Sequence, residues 1–82
     1  MNEVAVPLYG WVQGDSVVVV VLAREDQTVR ELVELLCQAV SVRVSVAAPG
    51  FAWLRGKKLD PDTSVRSAGI EPLDRIDVLF NE

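Results

Sequence analysis

The strongest local pattern in this sequence is a single amphipathic helix that begins after Thr28. Thr28 and Glu31 have the spacing of a capping box, in which the hydroxyl accepts from the first helical turn and the carboxylate accepts from the N-cap backbone. Apolar residues then recur at helical intervals and form one stripe: Val29, Leu32, Val33, Leu36 and Val40. The pattern predicts one helix of about three turns whose apolar side covers one face of a sheet.

The residues before the helix have the composition of a β-hairpin. An alternating segment, 4–12, is followed by the turn residues 13–16 and the β-branched run 17–22. Only one alternate set of the run can face the core, and the sequence leaves open which one. Residues 1–6 are either an N-terminal extension or part of a longer first strand.

The residues after the helix predict two more strands, 51–55 and 75–80. Between them lie turn residues and a second set of apolar positions, so we expect the core to include Val29, Leu32, Leu36, Leu59, Val65, Ile70, Ile76 and Val78. Segment 41–50 is less clear and fits an extended loop or a short added strand. Together the elements predict a single α+β domain over residues 1–82.

Composition excludes several classes of function. The net charge of −4 argues against nucleic-acid binding, and the apolar run 17–22 is too short to cross a membrane. A sequence without histidine lacks the commonest general base and metal ligand. Cys37 is the single cysteine, and Asp60 and Asp62 flank a proline in an ordinary turn. We therefore expect a soluble cytoplasmic or nuclear protein that is not an enzyme and has no metal or cofactor.

The stretch 51–80 resembles the second half of ubiquitin and of ubiquitin-like domains. It contains a strand, a turn at Gly56-Lys57-Lys58, a lone Leu59, an Asp60-Pro61-Asp62 turn and a last strand, in the ubiquitin order and without gaps. The resemblance implies a β-grasp fold, with a mixed sheet of four or five strands, the first and last strands parallel at its centre, and one main helix on one face. It also implies a non-covalent protein-interaction module, monomeric, that binds other proteins through an apolar patch on the open sheet face.

Strand alternation and this resemblance select five candidate partner-binding residues. Trp53 and Leu79 fall on the positions of the isoleucine and valine of ubiquitin's main recognition patch, and Asp77 replaces its histidine. Phe51 shares the outward side of its strand with Trp53, and Lys57 is expected at the rim of the patch. A shift of one residue in register would instead bury Trp53. A second candidate surface is the outward half of the valine-rich strand.

Two alternatives to this function stay open. The sequence reads to Phe80-Asn81-Glu82 without the Gly-Gly tail of the conjugated relatives, so it could be a covalent modifier whose tail is absent from this chain. Segment 33–42 and the Ala68-Gly69-Ile70 region through to the last strand also resemble the small ubiquitin-like proteins of bacterial type VII secretion. The turn through Gly56 to Pro61 is more similar to eukaryotic ubiquitin-like domains.

Overall fold

The computed structural model describes residues 4–45 and 50–80. In these residues one helix and five strands follow one another as β1 (Ala5–Val12), β2 (Val19–Arg24), α1 (Val29–Ala39), β3 (Phe51–Leu54), β4 (Lys57–Lys58) and β5 (Arg75–Leu79). The strands form one sheet in the order β2-β1-β5-β3-β4, with β1 and β5 parallel at its centre. The α+β, ubiquitin-like β-grasp fold expected from the sequence is confirmed.

Helix α1 forms where the sequence predicts it. The Thr28 hydroxyl accepts from the Glu31 N–H at 3.1 Å, and the Glu31 carboxylate accepts from the Thr28 N–H at 3.0 Å, so the capping box is complete. The whole predicted stripe is buried, including Val40 just past the last helical residue. All eight predicted core residues are buried as well.

The structure of the hairpin before the helix shows which residues of the valine run face the core. Val21 and Ala23 are buried beneath α1, whereas Val20 and Leu22 point to the other side of the sheet and are 65% and 68% exposed. Strand β2 begins at Val19, two residues later than predicted, and the carboxylate of Asp15 accepts from the Val17 N–H in the preceding turn. Ala5 and Val6 belong to β1, so this part of 1–6 is a longer first strand, and residues 1–3 lie outside the described residues.

A bidentate ion pair ties the β1–β2 turn to the chain after the helix. The side chain of Asp15 is 1% exposed and accepts two hydrogen bonds from Arg43, each of 2.9 Å. These bonds from the Arg43 guanidinium lower the pKa of the Asp15 carboxyl below its ordinary value. Within segment 41–50, residues 41–43 form a turn, residues 44–45 belong to no strand, and residues 46–49 lie outside the described part of the chain.

A tight turn sets the register of the sheet beyond β3. Arg55 and Gly56 both have positive φ, of 51° and 80°, which fits the type I′ turn favoured between paired strands. The turn pairs Leu54 with Lys57 and Trp53 with Lys58. It therefore decides which lysine shares a face with Trp53.

Candidate protein-binding surface

The sheet has one covered face and one open face. Helix α1 covers the first, against the buried residues Val6, Leu8, Val12, Ile76 and Val78. The alternate residues of β1, β2, β3 and β5 project to the opposite side, which we call the outer face. Because the strands lie in the order β2-β1-β5-β3, the side chains of this face form continuous rows across neighbouring strands.

The first part of the outer face is an aromatic row. Cross-strand pairing places Trp11 beside Asp77, Asp77 beside Trp53, and Trp53 beside Lys58. Both tryptophans are half-buried. The indole N–H of Trp11 donates to the backbone oxygen of Asp15 at 2.8 Å, whereas the buried indole nitrogen of Trp53 has no hydrogen-bond partner among the described residues. Trp53 thus lies on the predicted side of the sheet, with much of its ring covered.

The neighbouring row contains the two other apolar residues predicted for the patch. Phe51 and Leu79 are cross-strand neighbours and both are half-buried. The ammonium of Lys58 lies 3.9 Å from the centroid of the Phe51 ring, a cation–π geometry. Lys57, predicted at the rim of the patch, pairs with inward-facing Leu54, whereas Lys58 is the lysine beside Trp53.

Asp77 is closely surrounded on this face. It is half-buried between the two tryptophans, and its carboxylate accepts from Arg75 at 2.8 Å. The acidic group that replaces ubiquitin's histidine is therefore balanced by a neighbouring guanidinium. The aromatic row presents a neutral Arg75–Asp77 pair, not a free negative charge.

The most exposed apolar surface lies at the other end of the outer face. Val20 and Leu22 on β2 are cross-strand neighbours of Tyr9 and Pro7 on β1. Tyr9 is 42% exposed, and Leu73, whose N–H donates to the Pro7 oxygen at 2.6 Å, is 61% exposed. We call these five residues the apolar end. Within it, Val20, Leu22 and Leu73 are markedly more exposed than Trp53, Phe51 and Leu79.

The sequence located this surface only in part. The outward valines were a second candidate, but the alternation of an uninterrupted valine run does not reveal which set faces the core. Leu73 was missed, although an apolar residue inside the polar turn Glu71-Pro72-Leu73-Asp74 is a signal that could have drawn attention to it. Tyr9 lies beside Val20 on this face, and both side chains are exposed.

The rest of the described chain was searched for a metal-binding cluster, a cleft and a reactive thiol. Residues 4–45 and 50–80 hold no cluster of three or more histidine, cysteine, aspartate or glutamate side chains suited to a metal ion. A cleft of about 350 Å³ lies between α1 and β3 and is lined mainly by apolar side chains, with Cys37 on its wall. Burial raises the pKa of the Cys37 thiol, which leaves less of the reactive thiolate. No helix in the described residues has the length and apolar character needed to cross a membrane.

Comparison of the sequence with models of known protein families identifies the family of this chain. Residues 5–80 match the model of the family described as Toluene-4-monooxygenase system protein B, TmoB. The chain belongs to the TmoB family. A search of curated protein sequences found no match.

Several solved structures share the fold of this chain. A chain of the toluene 4-monooxygenase HD complex with the inhibitor 4-bromobenzoate superposes with a TM-score of 0.88 at 20% identity, covering 95% of this chain and all of that one. A chain from a structure of SUMO mimicry in DNA repair gives 0.79 at 23% identity, covering 96% and 94%. Ubiquitin from Caldiarchaeum subterraneum gives 0.76 at 12% identity, covering 95% of each chain.

Proposed function

We propose that this TmoB-family chain is a non-catalytic, protein-binding component of a multiprotein monooxygenase, and that it binds another component through the outer face of its sheet. The observation that carries the proposal is the apolar end, where aliphatic side chains stand exposed on a domain without a metal cluster in its described residues. The family's description as part of a toluene-4-monooxygenase system supplies the class of partner.

The exposure of Val20 and Leu22 supports binding at this face. These two neighbouring aliphatic side chains are each about two-thirds exposed, so most of their apolar area is in contact with water. Folding does not bury this area. Full burial of a valine or leucine side chain contributes about 1.5–3 kcal/mol. Covering both in an interface would therefore make a large contribution to affinity.

The aromatic row supports the same face in a different way. Trp53 and Trp11 are partly covered by their neighbours. Their remaining exposed area adds apolar surface to the same face of the sheet as the apolar end. Tryptophan and tyrosine are enriched among residues that dominate binding energy. Trp53, Leu79, Phe51 and Asp77 thus remain predicted contacts at the second half of the surface, joined by Lys58 in the place expected for Lys57.

The test compares two exposed valines in binding to the other purified protein components of the source organism's monooxygenase. Val20→Lys places a charge on the outer face, whereas Val42→Lys places it on the turn after α1, where the wild-type valine is 85% exposed. Isothermal titration should show Val20→Lys binding at least about tenfold more weakly, since a charge would have to be desolvated in the interface. Val42→Lys should bind like the wild type.

Trp53→Ala tests the aromatic row in the same titration, with the melting temperature checking that it folds. Equal affinities for the wild type, Val20→Lys and Trp53→Ala would show that binding uses another surface. Absence of binding by the wild type to any component would reject the assignment to a monooxygenase assembly.

A further inference from the structure

Leu73 combines two unfavourable features in one residue. Its φ of 69° lies in the left-handed region, which glycine and asparagine adopt far more easily than leucine. Its side chain is also 61% exposed to solvent. A leucine here strains the backbone and leaves apolar surface in water.

The fold uses the backbone of Leu73 and not its side chain. The Leu73 N–H donates to the Pro7 oxygen at 2.6 Å, which fixes the turn against β1. The next residue, Asp74, closes the turn by accepting from the Glu71 N–H at 2.9 Å and from Arg55 at 3.1 Å. Glycine or asparagine could make the same backbone bond with less strain, so the fold alone does not account for a leucine at this position.

The position of Leu73 suggests what the side chain does. Pro7, which accepts its N–H, is the cross-strand neighbour of Leu22, and Tyr9 donates its own N–H to the Asp74 oxygen at 3.0 Å. The backbone of Leu73 therefore lies on the side of β1 away from β2, two residues before β5 begins. Beside it, Arg55 pairs with Asp74, so these two neighbouring charges balance each other.

We propose that Leu73 is the anchor residue of the docking surface, held in a strained conformation so that it enters an apolar pocket on another protein component of the monooxygenase. This inference rests on the proposed function and adds to it the residue that dominates affinity. Strained residues that the surrounding hydrogen bonds hold in place are concentrated at functional sites. Interface hot spots of any residue type lie in well-packed pockets from which water is excluded, and an exposed leucine can fill such a pocket on a partner.

The experiment measures folding and binding in the same variants, because the two should change in opposite directions. Leu73→Gly and Leu73→Asn remove the side chain but suit the left-handed conformation, so the melting temperature should stay the same or rise by a few degrees. The affinity for the purified monooxygenase components should fall about thirtyfold. Leu73→Met keeps an apolar side chain and should stay within about threefold of the wild-type affinity.

The outcomes separate this inference from the proposed function. If the wild type binds and the glycine and asparagine variants bind equally well, Leu73 is not the anchor, although the assembly role stands. If both variants melt several degrees lower, the side chain serves the fold and the inference is overturned. If the wild type itself does not bind, the proposed function fails first.

Discussion

Substituting Gly10 by alanine tests how α1 is seated on the sheet. Gly10 is buried in β1, and its φ lies outside the left-handed region, so the backbone can accept an alanine. A Cβ placed there would lie 2.2 Å from Leu36 Cδ2 and 3.2 Å from Cδ1 and Cγ of the same side chain. Leu36 is completely buried, which leaves little space for it to move away. The glycine therefore allows the helix its close approach.

The expected loss of stability follows from two opposing effects. Overfilling a packed core costs about 1–3 kcal/mol. Replacing glycine by alanine where the conformation is compatible returns about 0.4–1 kcal/mol through the unfolded chain. The free energy of unfolding should therefore fall by about 1–2 kcal/mol, which in a domain of this size lowers the melting temperature by about 5–15 °C.

A double-mutant cycle with Leu36→Ala identifies the cause. Leu36→Ala alone should cost about 2–5 kcal/mol, because it removes a fully buried side chain. In the double variant the new methyl group enters the space that leucine has left. The double variant should accordingly be at least about 1 kcal/mol more stable than the sum of the single changes predicts.

Urea unfolding followed by circular dichroism gives all four free energies. An unchanged stability for Gly10→Ala would refute the close approach of α1 to β1. A destabilised Gly10→Ala whose effect simply adds to that of Leu36→Ala would show that the strain arises elsewhere.

Two further predictions concern the helix cap and the buried carboxylate. Thr28→Ala removes the hydroxyl that accepts from the Glu31 N–H and should lower the free energy of unfolding by about 1 kcal/mol. A change below about 0.3 kcal/mol in urea unfolding would contradict the role of the cap. Because Arg43 lowers the pKa of Asp15 in the folded state, the stability that this carboxylate contributes is present above its ordinary pKa, 3.8, and is lost as the pH falls through the folded-state value. The difference in urea midpoint between wild type and Asp15→Asn should thus shrink from pH 7 to pH 3, and a constant difference would refute the linkage.

The elements that the sequence predicts well are those specified by local patterns. The capping box and the apolar stripe of α1 depend on residues within a few positions of one another, and the structure contains both as predicted. Alternation in the last strand likewise assigns Ile76 and Val78 to the core. Such patterns can be read directly because the period of a helix or strand is a property of the backbone itself.

Placement across the sheet was harder to predict, because it depends on pairing between distant residues. The exchange of Lys57 for Lys58 on the outer face follows from the turn at Arg55 and Gly56, which sets the register of β4 against β3. A shift of one residue moves a side chain to the opposite face. Sequence alone did not determine this register.

The sequence by itself determined an α+β domain with one capped helix, because hydrophobic periodicity and turn chemistry act locally, and the resemblance to ubiquitin implied its β-grasp topology. Tertiary structure decided which surface stays open to a partner. Val20 and Leu22 on β2 and Leu73 before β5 come from distant segments of the chain, and only the assembled sheet places them on either side of β1. Exposure is a property of the assembled sheet, since a side chain's access to solvent depends on what packs over it and not on its neighbours in sequence.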